Sequence, residues 1–208
     1  TSIDGKIATN SGESKWITGT EARRYGHMLR AQHDAILVGV NTVVMDDPDL
    51  TCRIEGLENR SPARIILDST LRTPIEARVF TGISHSPVWI VTGEEKRGSA
   101  EHSALAAAGA MFTFLPNVRD LQAVGKALSK LELTRVLVEG GAQIHASFLN
   151  AGLCDALFHF TAAKLIGGDG LGAIGNMGLA QLKGAPHLKL VDHKRIGEDL
   201  LATYRNAR

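Results

Sequence analysis

Four short runs of apolar residues have the length and flanks of strands that are buried on both faces. They cover residues 34–39, 63–68, 87–92 and 135–139, and polar residues or glycine bound each run. Continuous apolar runs of this length are typical of parallel strands in a sheet that is covered on both sides. The pattern therefore predicts four neighbouring strands of one parallel sheet.

Segments with apolar residues at helical spacing lie between these runs. They predict helices over residues 120–131 and 142–150, and a third helix to about residue 32 with Thr18 as N-cap and Glu21 completing a capping box. Strand and helix alternate, which favours an α/β fold with helices on both sides of the sheet. Residues 155–162, 187–193 and 200–204 alternate instead between apolar and polar positions, so we expect an antiparallel edge near the C-terminus.

Composition and charge narrow the function classes. The 208 residues are 44% hydrophobic and 22% charged with a formal net charge of +1, as expected for one globular domain with no general attraction to nucleic acid or membranes. No apolar run is long enough to span a bilayer and no secretory pattern is present, so a cytoplasmic location is expected. Cys52 and Cys154 show no CxxC spacing and the histidines show no zinc motif, so no metal site is predicted.

A strand-to-helix junction at residues 136–145 is the first candidate site. Gly140 and Gly141 follow the strand and precede an amphipathic helix, an arrangement that can hold a phosphate, although it is not the G-x-G-x-x-G pattern. The two glycines could equally serve only a tight turn. Glu139 precedes them and is either a substrate ligand or a charge partner of the helix N-terminus.

The segment that follows the 34–39 strand is the second candidate. Thr42, Asp46, Leu50 and Arg53 are expected at the same rim of the sheet as the glycine junction. Asp46 and Asp47 suit general acid–base chemistry or a metal pair, while a solvated turn before Pro48 is the commoner explanation of such a pair.

The third candidate is the stretch GESKW at residues 12–16 with the helix that follows it. Arg23 and Arg30 share roughly one face of that helix, and a guanidinium suits bidentate phosphate recognition, but the spacing does not decide which of the two faces inward. Trp16 either stacks on a ligand ring or covers the core.

Eight segments that include these three candidates occur in the order found in a known family. They are SIDGKIA (2–8), GESKWIT (12–18), LRAQHDAILV (29–38), Thr42 with DDPDLTCR (46–53), Arg64 to Asp68 with Leu71 and Arg72, VEGG (138–141), KLIGGDG (164–170) and residues 197–204. Together they resemble the reductase domain of the bacterial bifunctional riboflavin biosynthesis protein. The resemblance spans nearly the whole chain.

The resemblance implies a homodimeric, three-layer α/β/α domain of the dihydrofolate reductase type. Its expected reaction is the NADPH-dependent reduction of the ribosyl group of 5-amino-6-(5-phosphoribosylamino)uracil to a ribityl chain. Residues that match the family's substrate positions are Ser14, Arg30 and Arg53 for the phosphate, Leu50 through its backbone, and Glu139 near the reacting ribose. Residues that match cofactor or shared positions are Trp16, Thr42, Asp46, Ser69, Gly141, Ala142, Gln143, Ile144, His145, Ala146 and Ser147.

The chemistry expected from these positions leaves several questions open. Asp46 and Glu139 are the candidate catalytic carboxylates, and Ser69, Arg72 and Arg97 are candidates for the 2′-phosphate of NADPH. The family pattern begins several residues before Ser2 with a strand that carries a lysine near the ribose, and its deaminase half has no counterpart in this sequence. Alternatives are a reductase of the 2,5-diamino-pyrimidinone phosphate and a non-catalytic nucleotide-binding domain, whereas dihydrofolate lacks the phosphate that Ser14 and the two arginines suit.

Overall fold

The computed structural model describes residues 1–207. Its strands, β1 to β10, are Lys6–Ala8, Ala35–Gly39, Ala63–Leu67, Val88–Gly93, Met111–Leu115, Val136–Gly140, Ala156–Thr161, Leu171–Gly172, Leu188–Ile196 and Asp199–Asn206. Its α-helices, α1 to α5, are Thr20–Ala31, Val40–Asp46, Ala100–Ala107, Leu121–Lys130 and Ala142–Asn150.

The chain divides into two compact units. One unit consists of residues 27–141, and the other of residues 1–26 together with the described residues from 142 onward. The expectation of one reductase domain over residues 1–208 stays a prediction. Each unit is described by itself below.

The unit of residues 27–141 is built on a five-stranded parallel sheet with the order β5-β4-β3-β2-β6. The four predicted strands are confirmed as β2, β3, β4 and β6. All residues of β2 and β3 are buried, and all of them except Arg64 are aliphatic residues or glycine, as expected for strands covered on both faces. The sequence pattern missed β5, a partly buried strand at the edge of the sheet, and the short helices α2 and α3.

The strand order creates a switch point between β2 and β6. From β2 the chain adds β3, β4 and β5 in one direction, and it then returns to place β6 on the other side of β2. Connections that leave two neighbouring parallel strands in opposite directions open a crevice at the carboxyl ends of those strands, where α/β proteins bind ligands. Gly39 and Gly140 end these two strands.

The second unit contains the antiparallel sheet predicted for the C-terminal region. Its order is β7-β10-β9, and β1 pairs separately with β8. One prediction is wrong in detail: α1 begins at Thr20, two residues after the expected cap Thr18. The Asp199 carboxylate accepts a hydrogen bond from the Gly19 backbone N–H at 2.7 Å, so a residue 180 positions away satisfies a backbone donor just before the first turn of this helix.

Candidate functional site

An arginine and a glutamate meet at the carboxyl end of β6. Arg30 Nε donates to Glu139 Oε1 at 2.8 Å and Arg30 Nη2 donates to Glu139 Oε2 at 2.5 Å, while Arg30 Nη1 donates to the Thr51 carbonyl at 2.9 Å. Only 15% of the Arg30 side chain and 27% of the Glu139 side chain are exposed. The pair is therefore bidentate, largely shielded from water, and lies at the carboxyl end of β6, the strand next to the switch point.

This pair answers two questions that the sequence left open. Arg30 faces the sheet, since its guanidinium reaches a strand end, and Glu139 is paired with that guanidinium. Arg23 lies instead over the ring of Trp16, with its guanidinium carbon 4.4 Å from the ring centroid. The substrate roles predicted for Arg30 and Glu139 remain predictions.

A second charged cluster surrounds Asp49, just before the segment that carries Arg53. Arg53 Nη1 lies 3.1 Å from Asp49 Oδ2, and Arg78 binds the same carboxylate through Nε at 3.1 Å and through Nη2. More than half of each arginine side chain is exposed. Arg53 is thus oriented by a neighbouring carboxylate and keeps a solvent-facing surface that an anion can contact.

A buried arginine, Arg64, contacts the chain at Asp49, just before the segment that carries Arg53. Arg64 is fully buried in β3, donates to the carbonyls of Ser86 and Thr81, and reaches the Asp49 carbonyl at 3.5 Å. Burial lowers the pKa of Arg64 to about 10, while the Asp49 carboxylate acts in the opposite direction. At neutral pH the guanidinium is charged and its cost of burial is offset by these carbonyl contacts.

His27 connects the two clusters. Its Nδ1 lies 3.1 Å from the Thr51 carbonyl oxygen and 3.3 Å from the Arg53 backbone nitrogen. Burial lowers the pKa of His27, and the nearby positive charges of Arg30 and Arg53 lower it further. The imidazole therefore favours its neutral form beside the two arginines that were predicted to bind phosphate.

The glycine junction is tightly packed against the helix after β2. A Cβ atom on Gly140 would lie 3.0 Å from two side-chain atoms of Thr42 and 3.1 Å from Val38, so only glycine fits there without a shift. Gly141 has a φ of +86°, which also favours glycine. The structure thus brings Thr42 and the glycine junction together, as predicted for the rim of the sheet.

The other predicted residues of this unit occupy different surroundings. Leu50 is buried and has a φ of 57°, so its side chain belongs to the core and its backbone is held in a left-handed turn. Asp46 is the last residue of α2 and is exposed. Ser69 is exposed in the loop after β3.

The loop after β3 is fixed by a buried carboxylate. Asp68 Oδ2 accepts hydrogen bonds from the Thr73 backbone N–H and from the Thr73 hydroxyl, both at 2.8 Å, and Asp68 Oδ1 accepts from the Thr70 backbone N–H at 3.3 Å. Arg72 lies on the exposed side of this loop, where it donates to Thr70 Oγ1 at 3.2 Å and to Asn41 Oδ1 at 2.7 Å.

In the second unit, Ser14 and Trp16 lie at the surface. Trp16 is 63% exposed, which excludes the core role and leaves its ring face partly covered by Arg23. Lys164 Nζ donates to the Trp16 carbonyl at 2.5 Å. Ser14 is exposed as well.

The first turns of α5 pack against the segment around residues 173–175. The Gly175 N–H donates to the Ala142 carbonyl at 2.8 Å, and a Cβ atom on Gly175 would lie 2.7 Å from the Gln143 side chain. His145 Nδ1 lies 3.0 Å from the Ala173 carbonyl oxygen, and the Ser147 hydroxyl donates to the Gln143 carbonyl. Ile144 is half-buried and Ala146 is buried. The residues predicted to follow Gly141 in a pyrophosphate site therefore form the packed start of a helix.

Sequence reasoning missed several residues that organise these clusters. They are His27, Asp49, Thr51, Arg78 and Asn41. Asp49 lies inside the quoted DDPDLTCR segment, so its position beside Arg53 was visible in the sequence, but its second partner comes from 29 residues further along the chain. His27 could have been noticed because it lies one helical turn before Arg30.

Among residues 1–207, no group of three or more histidine, cysteine, aspartate or glutamate side chains is arranged to hold a metal ion. No α-helix in the same range has the length and apolar character needed to cross a membrane.

Comparison of the sequence with known proteins identifies one family. Residues 1–202 match the family described as RibD C-terminal domain. The riboflavin biosynthesis protein RibD of Aquifex aeolicus is 36% identical over 203 residues, which are 98% of this chain and 55% of that protein. The 2,5-diamino-6-ribosylamino-4(3H)-pyrimidinone 5′-phosphate reductase of Methanothermobacter thermautotrophicus is 32% identical over 207 residues, which are 97% of this chain and 93% of that protein. The chain spans about half the length of the RibD relatives it matches.

Solved structures agree with this result. A diaminohydroxyphosphoribosylaminopyrimidine deaminase/5-amino-6-(5-phosphoribosylamino)uracil reductase of Thermotoga maritima matches with a TM-score of 0.81 and 30% identity, covering 100% of this chain and 54% of that one. The riboflavin biosynthesis reductase Rib7 of Saccharomyces cerevisia matches with a TM-score of 0.74, 21% identity, and coverage of 100% and 86%, which bears on the fold alone. The expected α/β fold of dihydrofolate reductase type is confirmed.

Proposed function

The chain belongs to the RibD C-terminal domain family, and from this membership we propose that it is a reductase of riboflavin biosynthesis. Its proposed reaction converts the ribosyl group of 5-amino-6-(5-phosphoribosylamino)uracil to a ribityl chain with NADPH as reductant. The observation that carries the proposal is the family match over residues 1–202, together with the shielded Arg30–Glu139 pair at the switch point of the sheet.

The charged residues of the site suit a sugar phosphate. Arg30 and Arg53 present guanidinium groups near one segment of chain, residues 51–53, and each is oriented by a carboxylate. An arginine that binds a phosphate in a shielded site contributes roughly 1.5–3 kcal/mol. The phosphate role expected for Ser14 stays a prediction.

Glu139 is proposed to act by orientation. Both of its carboxylate oxygens accept hydrogen bonds from Arg30, so the carboxylate holds the guanidinium in a single plane. Asp46 is exposed at the end of α2 and is the proposed carboxylate for hydroxyl orientation and proton transfer near the ribose. Leu50 contributes its backbone.

The residues present fit a dinucleotide phosphate cofactor. Gly140 and Gly141 leave the end of β6 without side chains, and the chain continues directly into α5 at Ala142. Thr42 and Ser69 are the proposed contacts of the same group on neighbouring strand ends. The cofactor roles expected for Trp16 and residues 142–147 stay predictions. When bound, NADPH supplies the hydride for reduction of the ribose carbon.

A second substrate has a specific observation in its favour. The relative from Methanothermobacter thermautotrophicus, named for the 2,5-diamino-pyrimidinone phosphate, is matched over 93% of its own length, so this chain resembles nearly all of it. Both pyrimidines carry the ribose 5-phosphate that the proposed arginines bind. The choice between them is therefore made at the pyrimidine ring.

The test is the loss of NADPH absorbance with each of the two enzymatically prepared pyrimidine phosphates, repeated with NADH. We expect oxidation of NADPH with 5-amino-6-(5-phosphoribosylamino)uracil and a lower kcat/KM with the diamino compound. The reverse preference establishes the second substrate. Binding of NADPH without turnover on either pyrimidine would instead favour a non-catalytic nucleotide-binding domain.

A homodimer is the proposed assembly. Strand β9 is an edge strand of its sheet, and its adjacent residues Leu190 and Val191 are 49% and 47% exposed. Edge strands with exposed apolar side chains favour pairing with another chain. Light scattering after size exclusion chromatography tests this, since a single species at 22.2 kDa contradicts the proposal.

A further inference from the structure

We propose that Arg72, held in place by Asn41 and Thr70, binds the 2′-phosphate of NADPH and thereby selects NADPH over NADH. This inference rests on the proposed function, because it assigns one residue to the cofactor proposed above. Ser69, Arg72 and Arg97 are equivalent candidates by sequence, and the contacts of the structure separate them.

The acidic residue at the end of β3 is not free to bind a ribose. In dinucleotide sites that select NADH, a carboxylate at a strand end accepts hydrogen bonds from the ribose 2′-hydroxyl, whereas a nearby arginine accommodates the 2′-phosphate of NADPH. Asp68 ends this strand, but it is fully buried and accepts hydrogen bonds from Thr70 and Thr73 within its own loop. The carboxylate therefore shapes the loop and offers no ribose contact.

The loop shaped by Asp68 presents Arg72 to solvent. Leu71 is buried in the hydrophobic core with a φ of 56°, so the chain reverses at this residue and the next side chain points outward. Arg72 Nε then donates to Thr70 Oγ1 at 3.2 Å and Arg72 Nη2 donates to Asn41 Oδ1 at 2.7 Å. Its guanidinium is thus oriented across the ends of β2 and β3, with further N–H groups left to donate to a phosphate.

The positive charge of Arg72 is also uncompensated. Its two partners are neutral oxygens, and within the described residues it forms no salt bridge. Arg97 differs in both respects, because it pairs with Glu94 at 3.0 Å and its guanidinium lies 3.9 Å from the ring centroid of Phe114. The Arg97 guanidinium is thus engaged by both a carboxylate and an aromatic ring, whereas Arg72 has neither contact, so Arg72 is the better phosphate ligand.

The distance between Arg72 and the proposed pyrophosphate site fits a single bound dinucleotide. The glycine junction proposed for the pyrophosphate ends β6, and β2 and β3 follow it in order. Neighbouring strands are about 4.8 Å apart, so the end of β3 lies about 10 Å from the end of β6. An adenosine ribose bridges a comparable distance between the pyrophosphate and the 2′-phosphate. Arg97 follows β4, one strand further away.

Binding of nucleotide fragments tests the assignment without requiring turnover. Calorimetry with 2′,5′-ADP and with 5′-AMP measures the contribution of the 2′-phosphate alone. For Arg72→Gln we expect 10- to 100-fold weaker binding of 2′,5′-ADP, since a charge-assisted hydrogen bond of the usual strength is lost, and unchanged binding of 5′-AMP. Arg60→Gln is the matched control, because Arg60 is an exposed arginine that precedes β3 at the opposite end of the strand.

The outcomes distinguish this inference from the proposed function. If wild-type protein binds 2′,5′-ADP no more tightly than 5′-AMP, the proposal of NADPH fails and the role of Arg72 fails with it. If wild-type protein prefers 2′,5′-ADP but Arg72→Gln keeps that preference, only the role of Arg72 is overturned, and a loss in Arg97→Gln then identifies the true ligand. Unchanged circular dichroism of each variant shows that the fold is retained.

Discussion

Replacement of Glu139 by glutamine removes one charge from the shielded pair and keeps the size of the side chain. In the wild-type structure both carboxylate oxygens accept hydrogen bonds from Arg30, at 2.8 and 2.5 Å. A glutamine offers one acceptor oxygen and turns an N–H group toward the guanidinium. Arg30 would keep its bond to the Thr51 carbonyl but would lose the compensation of its charge.

The size of the effect follows from the burial of the pair. Two unit charges about 4 Å apart attract by about 4 kcal/mol at an effective dielectric constant of 20. Desolvation and the remaining exposure of 15% and 27% offset much of this attraction. We therefore expect Glu139→Gln to lower the free energy of unfolding by about 1–2 kcal/mol, which corresponds to a decrease in Tm of roughly 2–8 °C for a chain of this length.

Thermal unfolding followed by circular dichroism measures this change, and Glu94→Gln is the matched control. Glu94 also pairs with an arginine, Arg97, but both side chains are at least half exposed, so the expected loss is below about 0.5 kcal/mol. A double-mutant cycle of Glu139→Gln with Arg30→Met isolates the interaction, for which we expect about 1 kcal/mol or more of coupling.

Equal Tm changes for the Glu139 and Glu94 variants would refute the reasoning, because shielding would then have no influence on the pair. A functional readout separates orientation from proton transfer. Glu139→Gln is expected to raise the KM for the pyrimidine phosphate, since Arg30 is less well oriented, and to leave a measurable rate of single-turnover hydride transfer. Complete loss of that rate at saturating substrate would show that the Glu139 carboxylate transfers a proton itself.

Two further predictions concern packing and pH. Gly140→Ala is expected to destabilise the protein by about 1–3 kcal/mol, because the added Cβ would lie 3.0 Å from Thr42. Gly125→Ala in α4 is the control, and it is expected to stabilise the protein slightly because there is open space around Gly125. Equal Tm values for the two variants would contradict this prediction. Because the pKa of His27 is lowered by burial and by Arg30 and Arg53, the unfolded chain binds this proton more tightly, so His27 lowers stability as the pH falls below about 6.5. Chemical denaturation between pH 7 and 5 should show a smaller loss for His27→Asn than for wild type, and identical slopes would exclude the titration of His27.

The sequence predicted much of the parallel sheet but not its edge. Uninterrupted aliphatic runs identify β2, β3, β4 and β6, because strands buried on both faces need apolar residues at every position. The edge strand β5 is only partly buried and its apolar run is interrupted by Thr113, and α2 is too short for a helical pattern to emerge. The start of α1 was misjudged because Asp199, far away in the chain, supplies the acceptor for Gly19.

The candidate site shows the same division between local pattern and long-range pairing. By itself the sequence determined the strand ends, the glycine junction at Gly140 and Gly141, and the segments that identify the family, since strand burial and backbone conformation depend on nearby residue types. Only the tertiary structure decided that Arg30 faces the sheet and pairs with Glu139, 109 residues away, and that Arg72 keeps an uncompensated charge while Arg97 does not. Charged side chains are placed by the partners that folding brings to them, and those partners are distant in the sequence.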